Sequence, residues 1–280
     1  MSLSAPQTID VDGSPIDVDF DPDGSPLVLS RTDDRVAVSI AGEPITLPAD
    51  WPVPAWQPDI LRRLNPFDLL LADTRSGQAV VANRDQLGQP PLAVFLLGQG
   101  VATVCITPRA IVVGYQEECV LSDAAIGTPT AEVVAAFRHN GTLRDGWRRS
   151  STISSEAFDV YAIGPMLTAD GEATPDVLVH AYPGLGATRW DLTRGEAESQ
   201  PMPQAMDGAR AILQIGSILY THSCYRNRRG LFRYDTRDPA ADDAVQTLDE
   251  LRGPVVFRAA RVVQFTKRAV VVRTIEQRSE

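Results

Sequence analysis

The stretch Ala187–Ala197, ATRWDLTRGEA, sets out in eleven residues a unit that the rest of the chain repeats. A strand-forming run reaches Trp190, the acidic Asp191 ends it, and Gly195 marks the turn that follows. The same order recurs in Val36–Leu47 (VAVSIAGEPITL), Ala79–Pro90 (AVVANRDQLGQP), Val133–Leu143 (VVAAFRHNGTL) and Leu231–Ala241 (LFRYDTRDPAA). With Ala41, Asn83, Arg138, Asp191 and Asp235 taken as equivalent, the intervals are 42, 55, 53 and 44 residues. These intervals hold further apolar runs, such as Val101–Ile106 and Ala110–Tyr115 before Val133–Phe137. Each unit therefore reads as about four strands in some 40–55 residues, the length and content of a β-propeller blade.

Outside these units the chain is built of short β-rich runs bounded by Gly, Pro, Asp and Asn. Examples are Pro26–Ser30, Phe67–Ala72, Val177–Tyr182, Ala211–Tyr220 and Val270–Val272. Ile16, Val18 and Phe20 alternate with Asp17, Asp19 and Asp21, which predicts a half-buried strand with one wet, acidic face. Helical signals are confined to two segments. In Thr130–Gly141 the Asn140-Gly141 pair favours a hairpin strand over a helix. In Asp238–Gly253, Asp238 as N-cap and Pro239 as first helical residue predict a short helix inserted between strands. Gly98-Gln99-Gly100 reads as a hairpin turn. The Pro-rich Trp51–Trp56 segment reads as a surface bridge whose aromatics could meet a partner.

Five units plus the strand pair Val256–Phe265 and Arg268–Thr274 make six. The sixth lacks an outer strand, and Thr8–Gly13 is the candidate to supply it. Residues 1–35 hold eight Asp and two Arg, a net −6, whereas residues 252–280 hold six Arg, one Lys and two Glu, a net +5. Opposite charges on neighbouring strands assist pairing, each exposed pair by about 0.2–1 kcal/mol. The expected fold is thus all-β: a β-propeller of six blades, a single domain over residues 1–280, its ring closed by the N-terminal strand. The competing organisation is two domains split near Pro52–Pro58.

Thr188–Glu196 (TRWDLTRGE) resembles the end of the third strand of a WD40 repeat, where Trp-Asp closes the strand and a Gly-containing turn follows. Phe232–Thr236 (FRYDT) is similar, with Tyr in place of Trp. Ala110–Glu118 (AIVVGYQEE), followed by Val133–Gly141, resembles a blade of bacterial WD40-like propellers. The resemblance implies a propeller and mostly a binding role; it implies no chemistry.

Net charge −10, from 26 Lys+Arg against 36 Asp+Glu, argues against nucleic-acid or anionic-membrane partners. No run approaches about 18 apolar residues, so no membrane span is expected, and the start of the sequence has no leader pattern. Cys105, Cys119 and Cys224 show no metal-knuckle spacing, and free thiols suit a bacterial cytoplasm. The motifs GxSxG, HExxH and GxxxxGK[ST] do not occur. No catalytic residue, cofactor or metal ligand is therefore assigned.

The candidate contact residues fall in three groups. Glu117 and Glu118 follow an apolar strand. Trp147, Arg148 and Arg149 form an Arg-aromatic cluster suited to stacking. His222, Tyr225, Arg226, Arg228 and Arg229 share one polar stretch, whose guanidinium forks suit carboxylates and phosphates. The expected function is a non-enzymatic binding module for a protein partner or a small anionic ligand. The alternative is a propeller hydrolase or lactonase with a metal ion in a central channel, its ligands drawn from Glu117, Glu118, Asp159, His180 and His222. That alternative requires at least three of these to converge.

Overall fold

The computed structural model describes residues 2–33, 35–48, 51, 56–146, 157, 159–182, 186–200, 202–206, 208–223, 230–237, 245–249, 251 and 254–276. Two short N-terminal strands, β1 (Ser2–Leu3) and β2 (Gln7–Asp10), precede a series of antiparallel meanders. The first meander is β3 (Ser14–Phe20), β4 (Pro26–Thr32), β5 (Arg35–Ile40) and β6 (Glu43–Thr46). The second is β7 (Ile60–Arg63), β8 (Asp68–Asp73), β9 (Gln78–Asn83) and β10 (Ala93–Leu96). The third is β11 (Val101–Thr107), β12 (Ala110–Tyr115), β13 (Val134–Phe137) and β14 (Leu143–Gly146). Then come β15 (Asp159–Leu167), β16 (Ala173–Tyr182), β17 (Ala187–Asp191) and β18 (Glu196–Gln200). They are followed by β19 (Ala209–Ile215), β20 (Ile218–Ser223), β21 (Gly230–Asp235) and β22 (Val245–Asp249). The chain continues through β23 (Val255–Arg258), β24 (Arg261–Phe265) and β25 (Ala269–Glu276).

Each repeat anchor lies at the end of the third strand of its meander. Asn83, Asp191 and Asp235 are the last residues of β9, β17 and β21, and Ala41 and Arg138 follow β5 and β13 directly. Asp191 shows why an acidic residue suits this place: its carboxylate accepts the backbone N–H groups of Thr193 and Arg194 and so shapes the turn. Trp190, one residue earlier, is fully buried.

The expectation of six separate blades is corrected by the hydrogen bonding, which gives five sheets among the described residues. Strands β15 and β19 pair in parallel, Met166 with Gln214 and Leu167 with Ile215, and fuse two meanders into one eight-stranded sheet. Glycine permits the approach: a Cβ on Gly164 would lie 1.8 Å from the carbonyl oxygen of Ile212. The last sheet draws on both ends of the sequence. β2 pairs antiparallel with β25, Gln7 opposite Val272 and Asp10 opposite Ala269, and β1 pairs with the end of β25.

Packing follows from alternate faces of each meander being apolar. One large core gathers residues of the second, third and fourth meanders, including Leu70, Val112, Phe137 and Trp190. Leu27, Leu29, Leu61 and Leu71 fill the space between the first and second. Val18, Phe20, Val263 and Val270 do the same between the first and last.

Other expectations are revised. Residues 245–249 of the expected helix form β22, and residues 238–244 lie outside the described residues. The segment Thr130–Gly141 does contain a strand, β13, after a 3-10 turn. Gly98-Gln99-Gly100 is a crossover between two sheets, not a hairpin. Gly98 (φ 114°) is held there by Thr130, whose hydroxyl bonds both backbone groups of Gln99 at 3.0 Å. Trp51 and Trp56 are buried rather than exposed. They pack edge to face at 5.7 Å, and the Trp51 indole donates to the Gln89 carbonyl at 2.6 Å.

Candidate functional site

The first strands of the meanders neighbour one another in chain order: β3 against β7, β7 against β11, β11 against β15, β15 against β19 and β19 against β23. A cavity of about 470 Å³ opens where β3, β7, β11, β15 and β23 approach one another. Its lining comes from the C-terminal halves of these strands and the turns after them. Polar groups are supplied by Asp19, Arg62, Arg63, Asn65, Thr107 and Arg258, and much of the remaining wall is apolar.

Behind this wall lies a buried ion triad. Asp17 on β3 accepts from the Arg258 guanidinium at 2.8 Å and makes a short ion pair with Arg62, so one carboxylate joins three meanders. Its remaining capacity is filled by the backbone N–H groups of Leu61 and Val18, both at 2.9 Å. Arg62 also donates to the carbonyls of Val104 and Leu61, and Arg258 to those of Val18 and Phe257. Burial alone would raise the pKa of Asp17, but Arg62, Arg258 and the hydrogen bonds hold it below the usual carboxylate value. Asp19 is raised instead, because burial outweighs Arg258, Arg62 and the backbone N–H groups of Arg63 and Phe20 that it accepts. Burial pushes the Cys105 thiol, also on the cavity wall, up to about 12.

Arg63 differs from its neighbours. Its backbone N–H holds Asp19 at 2.7 Å, yet among the described residues no hydrogen bond or ion pair engages its guanidinium. It is half-buried and lines the cavity. The alternation Asp17, Asp19, Asp21 is thus only partly a wet face: Asp17 is buried, and Asp19 faces the cavity. The charged ends of the sequence do meet, with Arg258 on Asp17 and Arg261 4.7 Å over the Phe20 ring.

The residues singled out from the sequence lie elsewhere. Glu117 and Glu118 are exposed on a one-turn helix, α1 (Glu117–Val120). His222 is buried on β20, 3.5 Å from the Leu251 carbonyl, with its pKa lowered by burial against that hydrogen bond. Trp147, Arg148, Arg149, Tyr225, Arg226, Arg228 and Arg229 lie outside the described residues. The metal set does not converge: among the described residues no three His, Cys, Asp or Glu side chains gather as a metal site. His180 bonds the Gly186 carbonyl at 3.0 Å. Asp17, Arg62, Arg63 and Arg258 were missed, although the pair Arg62-Arg63 inside ILRRL is a visible signal, since adjacent arginines rarely interrupt an apolar strand.

No protein-family signature matches the chain, and no curated protein matches it in sequence. Solved structures do match in fold. A streptogramin B lyase structure is 11% identical, with 97% of this chain and 98% of that one covered at a TM-score of 0.55. The PQQ-bound form of an aldose sugar dehydrogenase from Streptomyces coelicolor is 10% identical, with 98% of both chains covered at a TM-score of 0.59. Together with the sheet topology, these likenesses establish the class: the chain is an all-β, β-propeller-type protein. No helix among the described residues is long and apolar enough to cross a membrane.

Proposed function

We propose that the chain is a single-domain propeller acting as a non-enzymatic binding module, with a small anionic ligand held in the cavity between the first strands. The pairing of β2 with β25, together with the Arg258–Asp17 ion pair, supports closure of the ring. The observation that carries the functional reading is the unengaged Arg63 guanidinium on the wall of a cavity of about 470 Å³. That volume falls within the roughly 300–1,000 Å³ of small-molecule sites. The free thiols Cys105 and Cys119 support a reducing, cytoplasmic setting, and arginine in place of lysine as nearly the sole base favours a bacterial source. The arginine-rich stretches around Trp147 and Tyr225 are assigned to a protein partner.

A thermal-shift screen of anions tests the ligand reading. An anion at about a hundred times its Kd stabilises by about 2.7 kcal/mol, a rise of roughly 5 °C for a chain of this size. Arg63→Gln should abolish the rise. Cations and neutral compounds raising Tm equally, with Arg63 dispensable, would defeat the reading.

A second reading, a metal-dependent hydrolase or lactonase, draws support from the printed names of the fold neighbours, a lyase and a dehydrogenase. It predicts a fall in Tm of several degrees with EDTA. An unchanged Tm with EDTA and with added Ca²⁺ or Zn²⁺ counts against it.

A further inference from the structure

We infer that the ligand of this cavity is an amphipathic monocarboxylate, its carboxylate on Arg63 and its apolar body against Phe20, Ile106, Ile163, Leu167 and Phe257. The inference rests on the reading of the cavity as an anion site and goes beyond it by naming the ligand class.

Charge sets the sign. Four guanidiniums, of Arg62, Arg63, Arg258 and, over the Phe20 ring, Arg261, face two carboxylates, of Asp17 and Asp19, so this region carries net positive charge. An anionic head answers it, and the apolar wall disfavours the strongly hydrated phosphate dianion. Arg62 and Arg258 are each anchored by Asp17 and two backbone carbonyls, whereas among the described residues nothing anchors Arg63, so Arg63 is the fork free to turn to a ligand. A planar guanidinium matches a planar carboxylate with two parallel hydrogen bonds.

The rest of the wall sets the body of the ligand. Phe20, Ile163, Leu167 and Phe257 are each less than 9% exposed, and Val104, Pro108 and Pro165 add apolar surface between them. The Cys105 thiol, with its high pKa, is neutral there and adds no charge. The polar groups lie among these apolar residues, so an alkyl body finds more matching surface than a polyhydroxylated one. The wall gains from every methylene removed from water, about 0.8 kcal/mol each.

Isothermal titration calorimetry on the full chain tests this with octanoate, butyrate, octan-1-ol, octylamine and inorganic phosphate. Octanoate should bind one per chain, and butyrate at least tenfold more weakly. Octan-1-ol, octylamine and phosphate should give no saturable heat. Arg63→Gln should weaken octanoate roughly 10- to 100-fold without changing the Tm of the free protein, since nothing among the described residues bonds that side chain. Arg63→Lys, which keeps charge and loses the fork, should fall between. Octan-1-ol binding as well as octanoate, or Arg63→Gln leaving octanoate affinity unchanged, overturns the inference. Arg63-dependent binding of phosphate with octanoate silent overturns the ligand class while the anion site stands. Silence of every probe here and of every anion in the thermal-shift screen overturns both.

Discussion

Replacing Asp17 with asparagine keeps the shape of the side chain and removes its charge. The carboxylate is the shared partner of Arg62 and Arg258; when it is gone, Arg62 remains buried and Arg258 largely shielded, its side chain 12% exposed. Breaking a buried ion pair by removing one partner costs about 3–5 kcal/mol, because the charge left behind is neither solvated nor paired. At an unfolding entropy of about 2.1 cal/mol/K per residue, the whole chain loses about 5–9 °C in Tm. Differential scanning calorimetry at pH 7 reads this directly. Asp17→Leu combined with Arg62→Met and Arg258→Met should recover at least half the loss, since removing an entire buried ion cluster is often close to neutral. The pH dependence has a definite sign. The pKa of Asp17 is lowered on folding, so its contribution is complete above the unfolded value of 3.8 and is lost as pH falls through the lower folded value. Asp17→Asn should therefore flatten the acid limb of the stability curve below about pH 4. A Tm within about 2 °C of wild type at pH 7 would refute the reasoning, since the triad would then be solvated rather than buried.

Three further outcomes are expected. Deleting residues 2–10 uncovers the edge of β25, and the truncated chain should melt lower and form oligomers visible by size-exclusion chromatography; a monomer of unchanged Tm would contradict ring closure. Cys105, with a pKa of about 12, holds roughly one thiolate in ten thousand at pH 8, so peptide mapping after maleimide treatment should show Cys105 modified far more slowly than Cys119. The pKa of His222 is lowered on folding, so its neutral form is favoured in the native state; stability from this site is complete above pH 6.5 and lost as pH falls through the folded pKa. An NMR titration of His222 should therefore give a midpoint below 6.5, and His222→Gln should soften the loss of stability on acidification.

The repeat was legible because its signal is local. Strand, acidic stop and turn lie within a dozen residues, and Asp191 fixes its own turn by bonding residues two and three places on. The N-terminal strand could be matched to its partner because charge and a missing strand pointed the same way, and β2 lies against β25. The fusion of two meanders was not legible. It depends on two parallel pairs and on a backbone approach at Gly164, neither of which leaves a local pattern. The helix expected over Asp238–Gly253 failed over residues 245–249, where pairing with β21 overrides a favourable capping sequence. The cavity was hidden for a related reason. Asp17, Arg62 and Arg258 lie up to 241 residues apart, and each looks like an ordinary strand charge until the first strands are brought together. Polar stretches such as the one from His222 to Arg229 drew attention because their residues are adjacent in sequence, which says nothing about convergence.

The most direct test of the cavity as the functional site is a crystal structure of the full chain grown with octanoate. The account predicts electron density in the cavity, with the carboxylate against the Arg63 guanidinium and the alkyl chain along Ile163, Leu167 and Phe257. Octanoate bound only at the surface, with the cavity holding water alone and Arg63 turned to solvent, would contradict it.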